Sequence, residues 1–136
     1  MTSSQDILLL LQLIRAAKKI DGRKRLQKMV CIAKTRDKIP FTFHFKPYFY
    51  GPYSEELADA IAALRGVGMV EEERIRHPDG IIQYSYYLTE KGDEFAKSLV
   101  AKREKKTVHK LVTEITVMNN LETHELVTLA KQLPFN

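Results

Sequence analysis

Apolar residues recur at helical spacing over most of the chain, and the period changes to two in only a few short stretches. Ile7, Leu10, Leu11, Ile14 and Ala17 follow i, i+3, i+4, i+7, i+10 and form one helical stripe. Leu9, Leu13, Ala16 and Ile20 add a second. The pattern predicts a first helix capped by Ser3 or Ser4 and running to about residue 19, ended by Asp21-Gly22. A helix apolar over so wide an arc needs partners on two sides. One is the domain core. The other is expected to be the C-terminal helices or a second subunit. Leu26, Met29, Val30 and Ala33 give a narrower stripe over residues 23–36, with Lys24, Arg25 and Lys28 outside it and expected in water. Ile39-Pro40 ends that second helix.

Phe41-Thr-Phe-His-Phe-Lys46 alternates strictly, which predicts a half-buried strand with the three phenylalanines inward. Tyr48-Phe-Tyr-Gly-Pro-Tyr53 reads as a loop. Ser54 is a good N-cap for a third helix over residues 55–65, with Leu57, Ile61 and Leu64 inward, Ala58 and Ala62 as small packing positions, and Gly66 and Gly68 ending it. Residues 69–76 and 81–88 read as a hairpin joined by His77-Pro-Asp-Gly80. Thr89 caps a fourth helix to about residue 103. Val108, Leu111, Val112, Ile115 and Met118 mark a fifth, Asn119-Asn120 break it, and Thr123 caps a last one carrying Leu126, Leu129, Ala130 and Leu133. The expected organisation is a domain over residues 1–104 with a helical extension over residues 105–136 packed as part of it, the extension and the doubly apolar first helix supplying a dimer interface.

Composition narrows the class. The 136 residues are 44% hydrophobic and 29% charged, as expected for one domain with a packed core. One cysteine, Cys31, excludes an internal disulfide and suggests a reducing compartment. The longest apolar run, residues 7–11, is far short of the about 20 residues a membrane span needs. The N-terminus lacks the basic start of a secretory signal. A soluble cytoplasmic protein, with no membrane contact, is the expectation.

The formal charge is +5, unevenly spread. Residues 15–38 carry ten Lys or Arg against Asp21 and Asp37, and residues 97–110 carry six against Glu104. Between them, residues 54–73 hold six acids against Arg65. Two basic stretches around an acidic one suggest a polarised surface able to attract a polyanion, or simply two solvated helix faces.

Little points to catalysis. His44, His77, His109 and His124 are dispersed, with no metal-ligand spacing to each other or to Cys31, so no metal and no cofactor is expected. There is no phosphate-binding Gly-rich loop and no Gly-x-Ser-x-Gly elbow. Cys31 reads as a packing residue, and Glu71-Glu72-Glu73 as exposed acids on a strand. The chain is not expected to be an enzyme. Seven of its twelve aromatics fall within residues 41–53, so the tyrosines around Gly51-Pro52 are either loop packing or a recognition surface.

The order helix, helix, strand, helix, hairpin, helix predicts an α+β winged helix (a winged helix-turn-helix) with additional C-terminal helices. The hairpin loop would be the wing, with Arg74, Arg76 and His77 placed to touch phosphates or the minor groove. Tyr86-Tyr-Leu-Thr-Glu-Lys-Gly92 also resembles the wing-to-helix junction of many winged-helix regulators. The third helix fits a DNA reader poorly, because Glu55, Glu56 and Asp59 would repel phosphates.

Two strings carry a resemblance over about residues 5–100. Gly22-Arg-Lys-Arg-Leu-Gln-Lys-Met-Val-Cys-Ile-Ala33 and Phe49-Tyr-Gly-Pro-Tyr-Ser-Glu-Glu-Leu57 resemble the YwgA-like family of uncharacterised bacterial and archaeal winged-helix proteins. They are more remotely similar to the Panacea-type antitoxin domain, whose Leu-Gln-Lys and Tyr-Gly-Pro elements are similarly placed. The first resemblance implies a winged-helix fold and a presumed DNA-binding role. The second implies that the scaffold can grip a protein.

Two functions are therefore expected in competition. In the leading one, a homodimeric transcriptional regulator binds double-stranded DNA. Arg23, Lys24, Arg25 and Lys28 neutralise phosphates, Tyr53, Ser54 and Arg65 approach bases, and Arg74, Arg76 and His77 form the wing. In the alternative, an antitoxin-like or adaptor module uses Tyr48, Tyr50, Glu55, Glu56 and Asp59 to bind a protein partner.

Overall fold

The structure, a computed structural model, describes residues 3–100 and 104–135. The first helix, α1 (Ser4–Ala17), starts where Ser3 accepts from the Asp6 backbone N–H and stops at Lys18, whose φ of 68° no helix tolerates. Ile20 is therefore outside the helix. With Asp21 it forms β1 (Ile20–Asp21), a short strand absent from the sequence reading. The second helix, α2 (Arg23–Thr35), follows Gly22, whose φ of 115° makes the sharp entry. Then come α3 (Glu55–Gly66), capped by Ser54 as expected, the hairpin β2 (Val70–Arg76) and β3 (Ile82–Leu88), α4 (Glu90–Leu99) capped by Thr89, α5 (Lys105–Met118) and α6 (Thr123–Lys131). Glu122, not Thr123, caps α6, through a reciprocal capping box with Glu125. The end expected for the fourth helix, near residue 103, lies outside the described residues.

The architecture is α+β, with six helices and a three-stranded antiparallel sheet of order β1-β3-β2 among the described residues. The register pairs Ile20 with Tyr86, and Glu72, Arg74 and Arg76 with Tyr86, Tyr84 and Ile82. Gly92 brings α4 against the sheet's entry. A side chain there would place its Cβ 2.0 Å from the Met69 carbonyl oxygen, so only glycine fits.

Both stripes of α1 are buried inside the chain. Leu9, Leu10, Leu11, Leu13 and Ile14 are fully buried, and the covering elements are α4, α5 and β3. The apolar excess expected to serve a second subunit is thus consumed by the C-terminal helices, and α1 offers no dimer interface. Among the described residues no helix is long and apolar enough to cross a membrane.

α2 departs most from its pattern. All eight residues from 26 to 33 are buried, because α6, α5 and the 41–54 segment surround the helix. Segment 41–46 alternates as expected, with Phe41, Phe43 and Phe45 buried, but forms no ladder beyond one bridge between Lys46 and Tyr53. Side chains from three helices replace the missing strand. Asp6 accepts from the Thr42 N–H (2.8 Å) and hydroxyl, Glu56 accepts from the His44 N–H (2.7 Å), and Lys34 donates to the Phe43 carbonyl (2.5 Å).

Candidate functional site

The two strings quoted above meet in space. Gln27 and Ser54 exchange two hydrogen bonds: the Gln27 amide donates to the Ser54 carbonyl (2.9 Å), and the Ser54 N–H donates to Gln27 Oε1 (2.8 Å). Next to them Lys28 Nζ donates to the Pro52 carbonyl (2.8 Å). Lys28 is therefore buried, contrary to its expected place in water, and its Cε lies 3.2 Å from where a Gly51 side chain would begin. Burial pushes the Lys28 amine down to about 8, and the nearby Lys24 and Lys131 charges act in the same direction. Leu-Gln-Lys is thus a latch under the Tyr-Gly-Pro loop, and the loop is closed at its base by the paired N–H and C=O groups of Lys46 and Tyr53 (2.9 Å each). Neither Gln27 nor Lys28 was legible as a latch, because polar residues beside a narrow stripe read as solvent-facing.

Above the latch, Tyr48, Phe49 and Tyr50 stand 63%, 83% and 59% exposed. They touch one another and their neighbours: Tyr48 packs on Phe49 and on Tyr53, each at 5.3 Å between ring centres, and the Lys24 ammonium sits 3.9 Å above the Tyr50 ring. The loop tyrosines are thus partly packed with each other yet open to solvent. The first turn of α3 adjoins them, with Glu55 and Asp59 exposed. Glu56 is tied to His44 Nδ1 (3.1 Å), and the His44 backbone N–H holds its carboxyl below its ordinary value. An open groove of about 800 Å³ runs here between Tyr48, Tyr53, Glu55, Lys46 and Arg23.

The residues expected to touch DNA divide. Arg25 caps the end of α5 instead, donating to the carbonyls of Leu121 (2.7 Å), Met118 (3.2 Å) and Asn119 (3.3 Å). Ser54 is buried as a cap, so it reaches no base. With Lys28, three of the ten are committed to the protein's own backbone. Tyr53 is half-buried beneath Tyr48. His77 closes the hairpin loop and faces Gln83 (3.2 Å).

Of the others, Lys24 lies over Tyr50, and Arg23, Arg65, Arg74 and Arg76 gather on one side. Arg23 lies 3.8 Å over the Tyr84 ring, and Arg74 is the cross-strand partner of Tyr84. Arg76 is on the same face two positions on, by strand alternation. Arg74 and Arg76 are exposed and make no ion pair among the described residues. Of the cations at the start of α2, Arg23 therefore shares a face with the hairpin. At its centre is Glu72, expected in solvent with its neighbours but only 10% exposed at the side chain. It accepts from the Tyr86 hydroxyl (2.6 Å) and pairs with Arg65 (3.3 Å) and Arg23 (4.0 Å). Burial and this bond push the Tyr86 hydroxyl up to about 12, so it stays a donor. Ala62 is exposed and Ala60 takes the small buried position expected of it. Burial raises the Cys31 thiol, in keeping with a packing residue.

A stretch of 76 residues is 46% identical to the Bacillus subtilis (strain 168) protein called Uncharacterized protein YwgA. The resemblance to the YwgA-like family is borne out. The match covers 56% of this chain and 45% of the relative, so the chain spans less than half the length of the curated protein it matches. No protein-family model matches the chain.

Proposed function

We propose that this chain is a protein-interaction module built on a winged-helix scaffold, in which the Tyr48–Tyr50 loop and the first turn of α3 bind a basic surface of a protein partner. The observation that carries this reading is the exposed aromatic trio. Three adjacent large rings in solvent are costly unless a partner covers them, and aromatic anchors are what such interfaces use. The latch of Gln27 and Lys28 supports it, since it fixes a loop that has few contacts of its own. Glu55 and Asp59 beside the loop supply the acidic rim.

A second reading is favoured by a different observation. Arg23, Arg74 and Arg76 share one exposed face of the hairpin, as a wing on double-stranded DNA would need. The acidic start of α3 and the loss of Arg25, Lys28 and Ser54 to internal bonds weigh against it.

One experiment separates the two. Affinity capture from the source cell should yield one stoichiometric partner, lost with Phe49→Ser and with Glu55→Lys plus Asp59→Lys, and kept with Arg74→Glu plus Arg76→Glu. A salt-dependent shift of duplex DNA lost only in the arginine variant, with no such partner, overturns the first reading and establishes the second.

A further inference from the structure

We infer that the cleft between α2, α3 and the sheet is a binding site for a small aromatic carboxylate. The cleft encloses about 280 Å³, just under the ~300 Å³ lower end of small-molecule sites. Leu57 and Ile61 are buried in its wall and Tyr53 and Tyr86 flank them, which suits a flat apolar ring. Its charged groups are two guanidiniums and one carboxylate. Glu72 is already served by the Tyr86 hydroxyl at 2.6 Å and Arg65 at 3.3 Å, while Arg23 stands off at 4.0 Å with its side chain 60% exposed. Arg23 also donates to the Tyr86 hydroxyl at 3.4 Å, but the two guanidiniums outnumber the one carboxylate, so the mouth carries a net positive charge. Arg23 has a planar fork and a nearby resting place on Tyr84, so it can swing to a bidentate contact without losing much freedom. A neutral ring would gain only the apolar wall. A cationic one would meet both arginines. The cleft shares Arg23 and Tyr53 with the groove beside the Tyr48–Tyr50 loop, and ligand bound here would bridge α2, α3 and β2.

The probe is benzoate, titrated calorimetrically into the full chain against benzamide and benzylamine. An acid of about nine non-hydrogen atoms is expected to bind with a Kd near a millimolar, and benzamide roughly tenfold more weakly. Arg23→Met should cost roughly tenfold, since the charged hydrogen bond to the ligand is lost. Ala58→Phe, at a half-buried position on the wall, should abolish binding by filling the cleft. Glu72→Gln should tighten it, because the competing carboxylate is gone, and a merely structural role for Glu72 would not produce a gain. Thermal melts show that each variant is folded. The inference is overturned by failure of benzoate to saturate by about 10 mM, by equal binding of benzamide, or by folded Arg23→Met and Ala58→Phe variants that bind as the parent does.

Discussion

Replacing Gln27 by alanine tests the latch directly. The side chain is 4% exposed and makes two hydrogen bonds, of 2.9 and 2.8 Å, to the carbonyl and N–H of Ser54, itself 1% exposed. Alanine leaves the Ser54 N–H buried without a partner, and leaves the Ser54 carbonyl with only the Ala58 N–H at 3.3 Å. The orphaned N–H costs about 1–3 kcal/mol, the bond lost at the carbonyl about 0.5–1.5 kcal/mol, and the one buried methylene lost about 0.8 kcal/mol. Water reaching the space left behind lowers the total, so about 2–4 kcal/mol is expected. That is a large share of the about 5–15 kcal/mol that holds a domain together. Urea unfolding followed by far-UV circular dichroism and tyrosine fluorescence reads it, the chain having no tryptophan. Gln12→Ala is the control. That side chain is equally buried but makes one bond, to the Ala96 carbonyl (2.7 Å), so it should cost about 1–3 kcal/mol. A Gln27→Ala midpoint no lower than that of Gln12→Ala, at unchanged m-value, refutes the idea that the latch carries energy.

Gly92→Ala should destabilise by about 2–4 kcal/mol, beyond ordinary overpacking, because its Cβ would meet a backbone oxygen at 2.0 Å and not a yielding side chain. A thermal melt checks it, and a shift within error of the parent contradicts the packing described. Lys28 predicts a pH dependence. Its amine titrates near 8 in the fold against 10.5 when unfolded, so near pH 7 both states are protonated and the burial penalty is at its fullest. Above about 8 the folded state releases its proton while the unfolded chain keeps it, and the penalty is relieved. The stability of the parent relative to Lys28→Met should therefore rise from pH 7 to pH 9.5 in urea titrations; a flat or falling difference disproves the low value.

Much of the fold was legible because its signals are local. Ser3, Ser54 and Thr89 cap helices in place, and His77-Pro-Asp-Gly80 makes the hairpin turn. The failures came where a distant element overrides local pattern. α2 reads as amphipathic, yet α6 and the 41–54 segment close over its polar flank, which turns Lys28 and Arg25 from surface cations into internal donors. Segment 41–46 has strand periodicity without a strand's neighbour, since periodicity records which face is buried and not what the backbone bonds to. Strand alternation argued that Glu71, Glu72 and Glu73 could not all face one way, but it could not say that two arginines and Tyr86 awaited the middle one. The aromatic cluster was visible as a cluster; only the structure separates three buried phenylalanines from the three rings left outside.

The bonds that hold residues 42 to 44 come from Asp6, Lys34 and Glu56, one from each of the first three helices. The full set is in place only when all three helices have docked. The neighbouring aromatic loop is consequently displayed by a finished domain and withheld by a half-assembled one. Anything that grasps those rings inspects, in the same act, whether the chain has completed its folding.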